Sequence, residues 1–497
     1  MRKASGLFLG ILAFTVILII PTPGGMSVEA KRAAACTILM AVWWITEALP
    51  ISVTALLPLA LYPLLKIMDA KSVVIPYANE NIFLFMGGFF IAMAMQKHSL
   101  HRRIALVIIY HLGTSPRKLV LGFMVATAFL SMWISNTATT MMMLPIGLAV
   151  INHVKDVLGT KNDTKLKFGT ALMLGIAYSA SIGGVGTLVG TPPNIVFAGV
   201  IKTMFPGLHE IGFVEWMAIG LPIVIIFIPL TWLFLVYIAS PPEVNKIPEG
   251  KEIISDEIKL LGKMSYGEKV TLTIFCLTAL GWIFRKDIPL GAITIPGWSN
   301  LLGIDHMVHD STVAIIGALL LFIIPVNLKK AEFILDWEWA KRIPWGILLL
   351  FGGGFALAES FQTTGLDISI GNIFSQINFS SGILIVFCIC LFMTFLTEFT
   401  SNTATITMML PVLGAMAVSF STHPFLLMIP ATIATSFAFM MPVATPPNAI
   451  IFGSNYIKIH QMARVGLTLN LIGVVIITLF MYLVAFPMLG IAAGIFH

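Results

Sequence analysis

Long apolar runs alternate with short basic clusters along almost the whole chain. At about 1.5 Å per residue, some twenty apolar residues cross a hydrocarbon layer of about 30 Å, so each long run is a candidate membrane helix. The first follows Arg2-Lys3 and reaches Ile20; no small-x-small cleavage site follows it, so it predicts a first span. The next, Ala33 to Leu65, is too long for one crossing and short for two. It predicts two compact helices meeting near Pro50, with Pro58 as a second break. Further spans are expected at about Asn81–Met95, from Phe168, at Phe213–Ala239, Val270–Phe284, Ser311–Val326 and Pro344–Phe361, around Thr445, and finally toward His497.

Two runs resist a simple crossing. Leu119 to Ile151 has basic residues at both ends, Arg117-Lys118 before it and Lys155, Lys161, Lys165 and Lys167 after it. Since positive charge stays on the cytoplasmic side, this run predicts a re-entrant hairpin that turns at Ser135-Asn136-Thr137. The basic cluster Lys97, His98, His101, Arg102 and Arg103 falls on the same side. The second run, about Ser381 to Ser419, lies in a stretch from Ile343 to Ile457 that has no Lys or Arg, which puts both its flanks outside. Lys31, Arg32, Lys66 and Lys71 also fall outside in this scheme, against the general rule.

The two exceptional runs share a sequence. From Ser135 and from Ser401, nine of eleven positions are identical, and each block is followed by Thr-Pro-Pro-Asn, as Gly190-Thr191-Pro192-Pro193-Asn194 and Ala444-Thr445-Pro446-Pro447-Asn448. One copy enters from the inside and the other from the outside. That is the pattern of inverted-topology repeats around a central site.

With 58% hydrophobic and 10% charged residues among 497, the chain cannot cover a soluble globule, and it is read as an all-α polytopic membrane protein. The net charge of +6 is explained by topology, so no nucleic-acid partner is expected. Residues 241–269 are read as a cytoplasmic amphipathic linker, Lys246 included, with a solvated charged face. Cys36, Cys276, Cys388 and Cys390 have no metal or disulfide spacing, and no histidine pair shares a hairpin. Gly184, Gly186 and Gly190 fit a helix interruption better than a nucleotide loop. No nucleophile–base arrangement suggests an enzyme. Glu47, Glu359 and Glu398 are acids inside apolar runs; Glu398 is either functional or a brace for the second hairpin.

At the hairpin tips the chemistry is neutral: hydroxyls of Ser131, Ser135 and Thr137, the Asn136 amide and a carbonyl of Gly190 freed by the following proline. Thr397, Ser401, Thr403, Asn402 and Ala444 mirror them. Hard neutral oxygens suit an alkali cation, helix N-termini and amide N–H groups suit an anion, and asparagine can serve both. With no Lys or Arg near either tip, a bound anion needs co-bound cations, so binding should be coupled.

The paired Ser-Asn-Thr and Thr-Pro-Pro-Asn blocks, with Trp43-Trp44-Ile-Thr-Glu47-Ala-Leu-Pro50 and Thr54-Ala-Leu-Leu-Pro58, resemble the divalent anion/sodium symporter family, the sodium-coupled di- and tricarboxylate transporters. The resemblance implies about eleven transmembrane helices plus two hairpins, a homodimer in the cytoplasmic membrane with the N-terminus inside and the C-terminus outside, and an elevator mechanism. It implies Na⁺ as co-transported ion, at Ser131, Ser135, Asn136 and Gly190 and at Thr397, Ser401, Asn402 and Ala444. A C4-dicarboxylate such as succinate, malate or fumarate would lie on Asn136, Thr137, Thr191, Asn402, Thr403 and Thr445, flanked by Pro192 and Pro446. By position, 1–112 and 270–378 would be scaffold, 113–240 and 379–497 the transport parts of the two repeats, and 241–269 the linker. A sodium-independent dicarboxylate exchanger and an anion channel are the alternatives.

Overall fold

A computed structural model describes residues 2–113, 115–158, 166–243, 250–290, 293–374 and 381–491; Lys161, Lys165, Lys246 and His497 of the sequence reading lie outside them. The described chain is mostly helical. Six of its helices are long and apolar enough to cross a membrane, Ala70–Lys97, Asn136–Asp156, Phe213–Ala239, Trp345–Thr364, Asn402–Ser419 and Ile459–Met488, and five further apolar helices are shorter.

The proline-broken run after the first span resolves as one full helix, Val28–Thr46, and two short pieces, Ile51–Thr54 and Leu57–Leu64. The joint lies near Pro50, as the sequence suggests, and Glu47 makes it by taking a left-handed backbone with φ 50°. Two of the four basic residues that sit uneasily in the topology act as caps. Lys31 Nζ donates to the carbonyls of Leu18 and Ile20 at 3.2 and 2.9 Å, and an Arg32 nitrogen to Leu65 O at 2.9 Å, satisfying carbonyls at helix ends.

Both exceptional runs form helix–turn–helix hairpins, Pro116–Ser131 with Asn136–Leu158 and Gly382–Thr397 with Asn402–Ser419. The first turn occupies residues 132–135, so Asn136 and Thr137 open the returning helix rather than forming the turn itself. Each hairpin is followed by an interrupted helix, Lys167–Gly184 then Pro192–Met204, and Pro424–Thr435 then Pro446–Gly453. The halves interlock. Pro192–Met204 packs on Asn402–Ser419 of the other hairpin, and Pro446–Gly453 packs on Asn136–Leu158. Trp345–Thr364 lies against Pro192–Met204, Asn402–Ser419 and Val28–Thr46, joining this interlocked group to the N-terminal helices.

The stretch expected to link the halves holds the helix Gly250–Leu260, which buries Ile254 and packs on Leu100–Leu112 while Asp256 and Lys259 stay exposed. Two acids of the stretch meet the basic cluster, Arg102 pairing with Glu257 at 2.5 Å and Arg103 with Glu268 at 2.6 Å. Lys97 pairs with Asp336 at 2.6 Å. Opposite charges spaced far apart in sequence find each other here, which periodicity on one helix does not reveal.

A second junction has a buried ion pair. Arg285 Nε lies 2.5 Å from Asp310 Oδ1, with both side chains almost fully buried. Phe213 N donates to Asp310 Oδ2 at 3.0 Å, and another Arg285 nitrogen to Val308 O at 2.9 Å, so three segments meet at one carboxylate. Removing one partner strands the other charge, at about 3–5 kcal/mol. Asp310→Ala is therefore expected to lower the midpoint of thermal unfolding in detergent strongly, whereas the double variant Arg285→Met with Asp310→Leu recovers much of it; equal losses in both would show that the stranded charge is not the cause.

Candidate functional site

The two hairpin tips and the two helix interruptions share one cavity of about 830 Å³. Ser135, Asn136, Thr137, Gly190, Thr191 and Pro192 line it from the first half, and Ser401, Asn402, Thr403, Ala444, Thr445 and Pro446 from the second. Of the residues singled out in the sequence, Ser131 and Thr397 are set behind the wall. They reach the cavity through their partners: Ser131 Oγ lies 2.5 Å from Asn136 Oδ1, and Thr397 Oγ1 donates to Asn402 Oδ1 at 2.7 Å.

Four helices begin at this cavity. Asn136–Leu158, Pro192–Met204, Asn402–Ser419 and Pro446–Gly453 each start with residues that line it. A helix start has unpaired N–H groups and about half a positive charge, so four of them together make a field suited to an anion without any cationic side chain. Proline at the first helical positions of two of these helices sets φ for the helix and removes N–H groups that would otherwise have no partner.

The oxygens around the first tip crowd together. Ser131 Oγ also lies 2.7 Å from Ala180 O, so a single hydroxyl proton faces two acceptors. A Cβ built on Gly184 would stand 2.8 Å from Asn136 Oδ1 and 3.2 Å from Gly190 O, and one on Gly190 would stand 2.4 Å from Gly184 O. Only glycine allows these backbones so close, and the result is a small cradle of carbonyl, amide and hydroxyl oxygens. Such a cradle suits a hard cation of low charge.

An interrupted helix frees backbone groups that need new partners, and buried side chains supply them. Asn194 Nδ2 donates to Gly184 O and Thr187 O at 3.2 and 2.7 Å; Asn448 Nδ2 donates to Ala438 O and Met441 O at 3.0 and 3.1 Å. The two asparagines thus hold carbonyls ten and seven residues upstream in both halves. Behind the first break, Trp216 Nε1 donates to Val185 O at 2.9 Å. Behind the second, Asn470 Oδ1 accepts from Phe439 N at 3.2 Å, and Glu398 accepts from Met440 N and Met441 N at 2.9 Å each and from Asn470 Nδ2 at 2.7 Å. Of its two readings, Glu398 therefore has the contacts of a brace, and it is absent from the cavity wall.

Several wall residues were not anticipated as part of the site. Trp133, Val189 and Val443 add apolar surface, and Phe85, Gly88 and Phe89 come from Glu80–Lys97. Lys3 and Glu47 are the charged side chains among the lining residues; Lys3 read in the sequence only as a topology signal. Asn194 and Asn448 had a usable signal, since both close a duplicated Thr-Pro-Pro-Asn block. Trp216 and Asn470 had none beyond being polar-capable residues in apolar runs.

The chain is similar to known proteins over nearly its whole length. Residues 1–491 match the family described as the sodium:sulfate symporter transmembrane region. A Staphylococcus saprophyticus protein named sodium-dependent dicarboxylate transporter SdcS is 45% identical over 98% of this chain and 92% of its own length. A Staphylococcus aureus protein of the same name is 47% identical over the same shares. Among solved structures, the Alcanivorax borkumensis YdaH transporter aligns over 99% of this chain and 98% of its own, with a TM-score of 0.55 at 11% identity. The Neisseria gonorrhoeae MtrF structure aligns over 97% and 96%, with 0.57 at 12% identity. Those two likenesses bear on the fold alone. The full-length family match and the two close relatives place the chain: it belongs to the sodium:sulfate symporter family.

Proposed function

We propose that this chain is a secondary active transporter that carries C4-dicarboxylates such as succinate, malate or fumarate together with Na⁺ across the plasma membrane. The observation that carries this reading is the meeting of four helix N-termini with two neutral oxygen clusters in one cavity. The helix starts favour a dianion and the oxygens a monovalent cation, and neither charge is neutralised by a side chain at the tips. Each guest therefore lowers the cost of binding the other, which is coupling in its simplest form. The names of the Staphylococcus relatives, sodium-dependent dicarboxylate transporters, support the choice of guests.

In this reading one Na⁺ sits at Ser131, Ser135, Asn136 and Gly190 and another at Thr397, Ser401, Asn402 and Ala444. The dicarboxylate lies between them on Asn136, Thr137, Thr191, Asn402, Thr403 and Thr445, with Pro192 and Pro446 flanking it. Asn136 and Asn402 face both guests, each carbonyl toward a cation and each NH₂ toward a carboxylate. The two halves are inverted repeats within a scheme of eleven spans and two hairpins, and the N-terminus is cytoplasmic. Residues 113–240 and 379–497 move as an elevator against a scaffold formed by 1–112 and 270–378, with 241–269 as linker, and the protein works as a homodimer. The interlocking of each half's second broken helix with the other half's hairpin supports a single moving body.

In proteoliposomes, labelled succinate is expected to accumulate when Na⁺ is outside and not when choline replaces it; equal uptake with either cation sinks the coupling. Asn136→Ala and Asn402→Ala each remove a partner of a charged guest, an effect of about 1.5–3 kcal/mol, so each should weaken apparent succinate affinity roughly 10- to 100-fold in folded protein. Wild-type affinity in either variant rejects the site. Gly184→Ala intrudes on the first oxygen cradle and not the second, so it should raise the Na⁺ concentration needed for half-maximal uptake; an unchanged Na⁺ curve places the cation elsewhere.

A further inference from the structure

Lys3 and Glu47 stand on the wall of the cavity although they lie at the start of the first helix and just past the end of the second, far in sequence from the hairpin tips. Their placement has a packing cause. Gly6 and Gly10 turn one face of Arg2–Ile19 toward Val28–Thr46: a Cβ on Gly6 would stand 2.1 Å from Thr46 Oγ1, and one on Gly10 would stand 2.5 Å from Trp43 Nε1. Trp43 Nε1 donates to Leu7 O at 3.3 Å across the same seam. A Gly-x-x-x-Gly face lets two membrane helices approach at backbone distance, and here it pins the start of the first helix against the end of the second. Glu47 comes directly after that end, where its left-handed backbone turns the chain toward Pro50. The seam thus delivers one cation and one anion to the same wall.

Neither charge has a close partner among the described residues. Among the described residues no ion pair within 4 Å involves Lys3 or Glu47, unlike Arg102, Arg103 and Lys97, which are all paired. The rest of the wall consists of hydroxyls, amides, backbone and apolar side chains. Unpaired charge at the edge of a low-dielectric concavity acts on an approaching ion over longer range than a hydrogen bond does, and a dianion experiences it twice over.

We propose that Lys3 and Glu47 form an opposed pair of steering charges on this cavity, in which Lys3 raises and Glu47 lowers the apparent affinity for a dicarboxylate dianion. The inference rests on the transport reading above and adds to it two positioning residues outside both duplicated motifs. Lys3 draws the dianion toward the tips, and Glu47 limits how strongly it is retained, so that the guest can also leave. Because the effect is long-range, it weakens as salt rises, with a screening length of about 30 Å at 0.01 M and about 8 Å at 0.15 M.

The test uses full-length purified protein, labelled succinate and fixed Na⁺, with ionic strength varied by choline chloride. Lys3→Gln is expected to weaken succinate binding roughly two- to tenfold at low salt and Glu47→Gln to strengthen it, both differences shrinking at high salt. Lys3→Arg should bind as wild type does, because it keeps the charge. Lys3→Gln with wild-type affinity at low salt overturns the proposal, as does a deficit indifferent to salt or shared by Lys3→Arg, since a packing role predicts those results. If wild type shows saturable Na⁺-dependent binding while the variants match it, the steering pair alone falls. If wild type binds no succinate at any Na⁺ concentration, the transport reading falls first.

Discussion

Everything at the centre of this molecule depends on breaking helices where water is scarce and still leaving few backbone groups unpaired. A carbonyl stranded in hydrocarbon costs several kcal/mol, so an interruption survives only where other groups take over the lost bonds. Asn194 and Asn448 do this in the same way in both halves, each holding two carbonyls from the preceding helix. Trp216 and Asn470, from helices packed behind, and Glu398, from the turn of the second hairpin, complete the support. With those debts met by the second layer, the helix starts and tip oxygens on the cavity side remain available to guests.

The two halves reach this result with different chemistry. The first break is held by neutral donors, the Trp216 indole and the Thr187 hydroxyl on Met132 O. The second is held by a buried carboxylate, Glu398, that accepts three N–H bonds. The carbonyls bound by the asparagines belong to Gly184 in one half and Ala438 in the other, and Gly190 stands where the second half has Ala444. The first cradle is therefore closed at backbone distance, and the second has room for two methyl groups. Duplication fixed the plan of the site, and later divergence separated the properties of its two ends.

Much of this was legible in the chain because duplication repeats a signal that a single copy leaves ambiguous. Ser-Asn-Thr once is ordinary packing polarity; twice, each with its Thr-Pro-Pro-Asn, it marks the hairpins, and their arms fall within a few residues of the expected runs. Proline placed the interruptions, since it cannot continue a helix from the residue before it. The positions that went unread are those fixed by tertiary contact. Glu257 and Glu268 meet their arginines across a long sequence gap, Trp216 and Asn470 look like any residues of an apolar run, and Lys3 reaches the wall because the glycines of its own helix pack it against Val28–Thr46. The short antiparallel pair Ile288–Leu290 with Ile293–Ile295 likewise lies between the spans expected at Val270–Phe284 and Ser311–Val326, where no element was expected.

The interlocking of the halves has a consequence for biogenesis. Asn136–Leu158 obtains its neighbour Pro446–Gly453 only near the end of synthesis, so while the ribosome is still translating the second half, the first hairpin waits with one face uncovered. Insertion into the bilayer can proceed helix by helix, but assembly of the core cannot. A nascent chain stalled before Pro446–Gly453 leaves that face of the first hairpin bare, which makes it a substrate for membrane quality control.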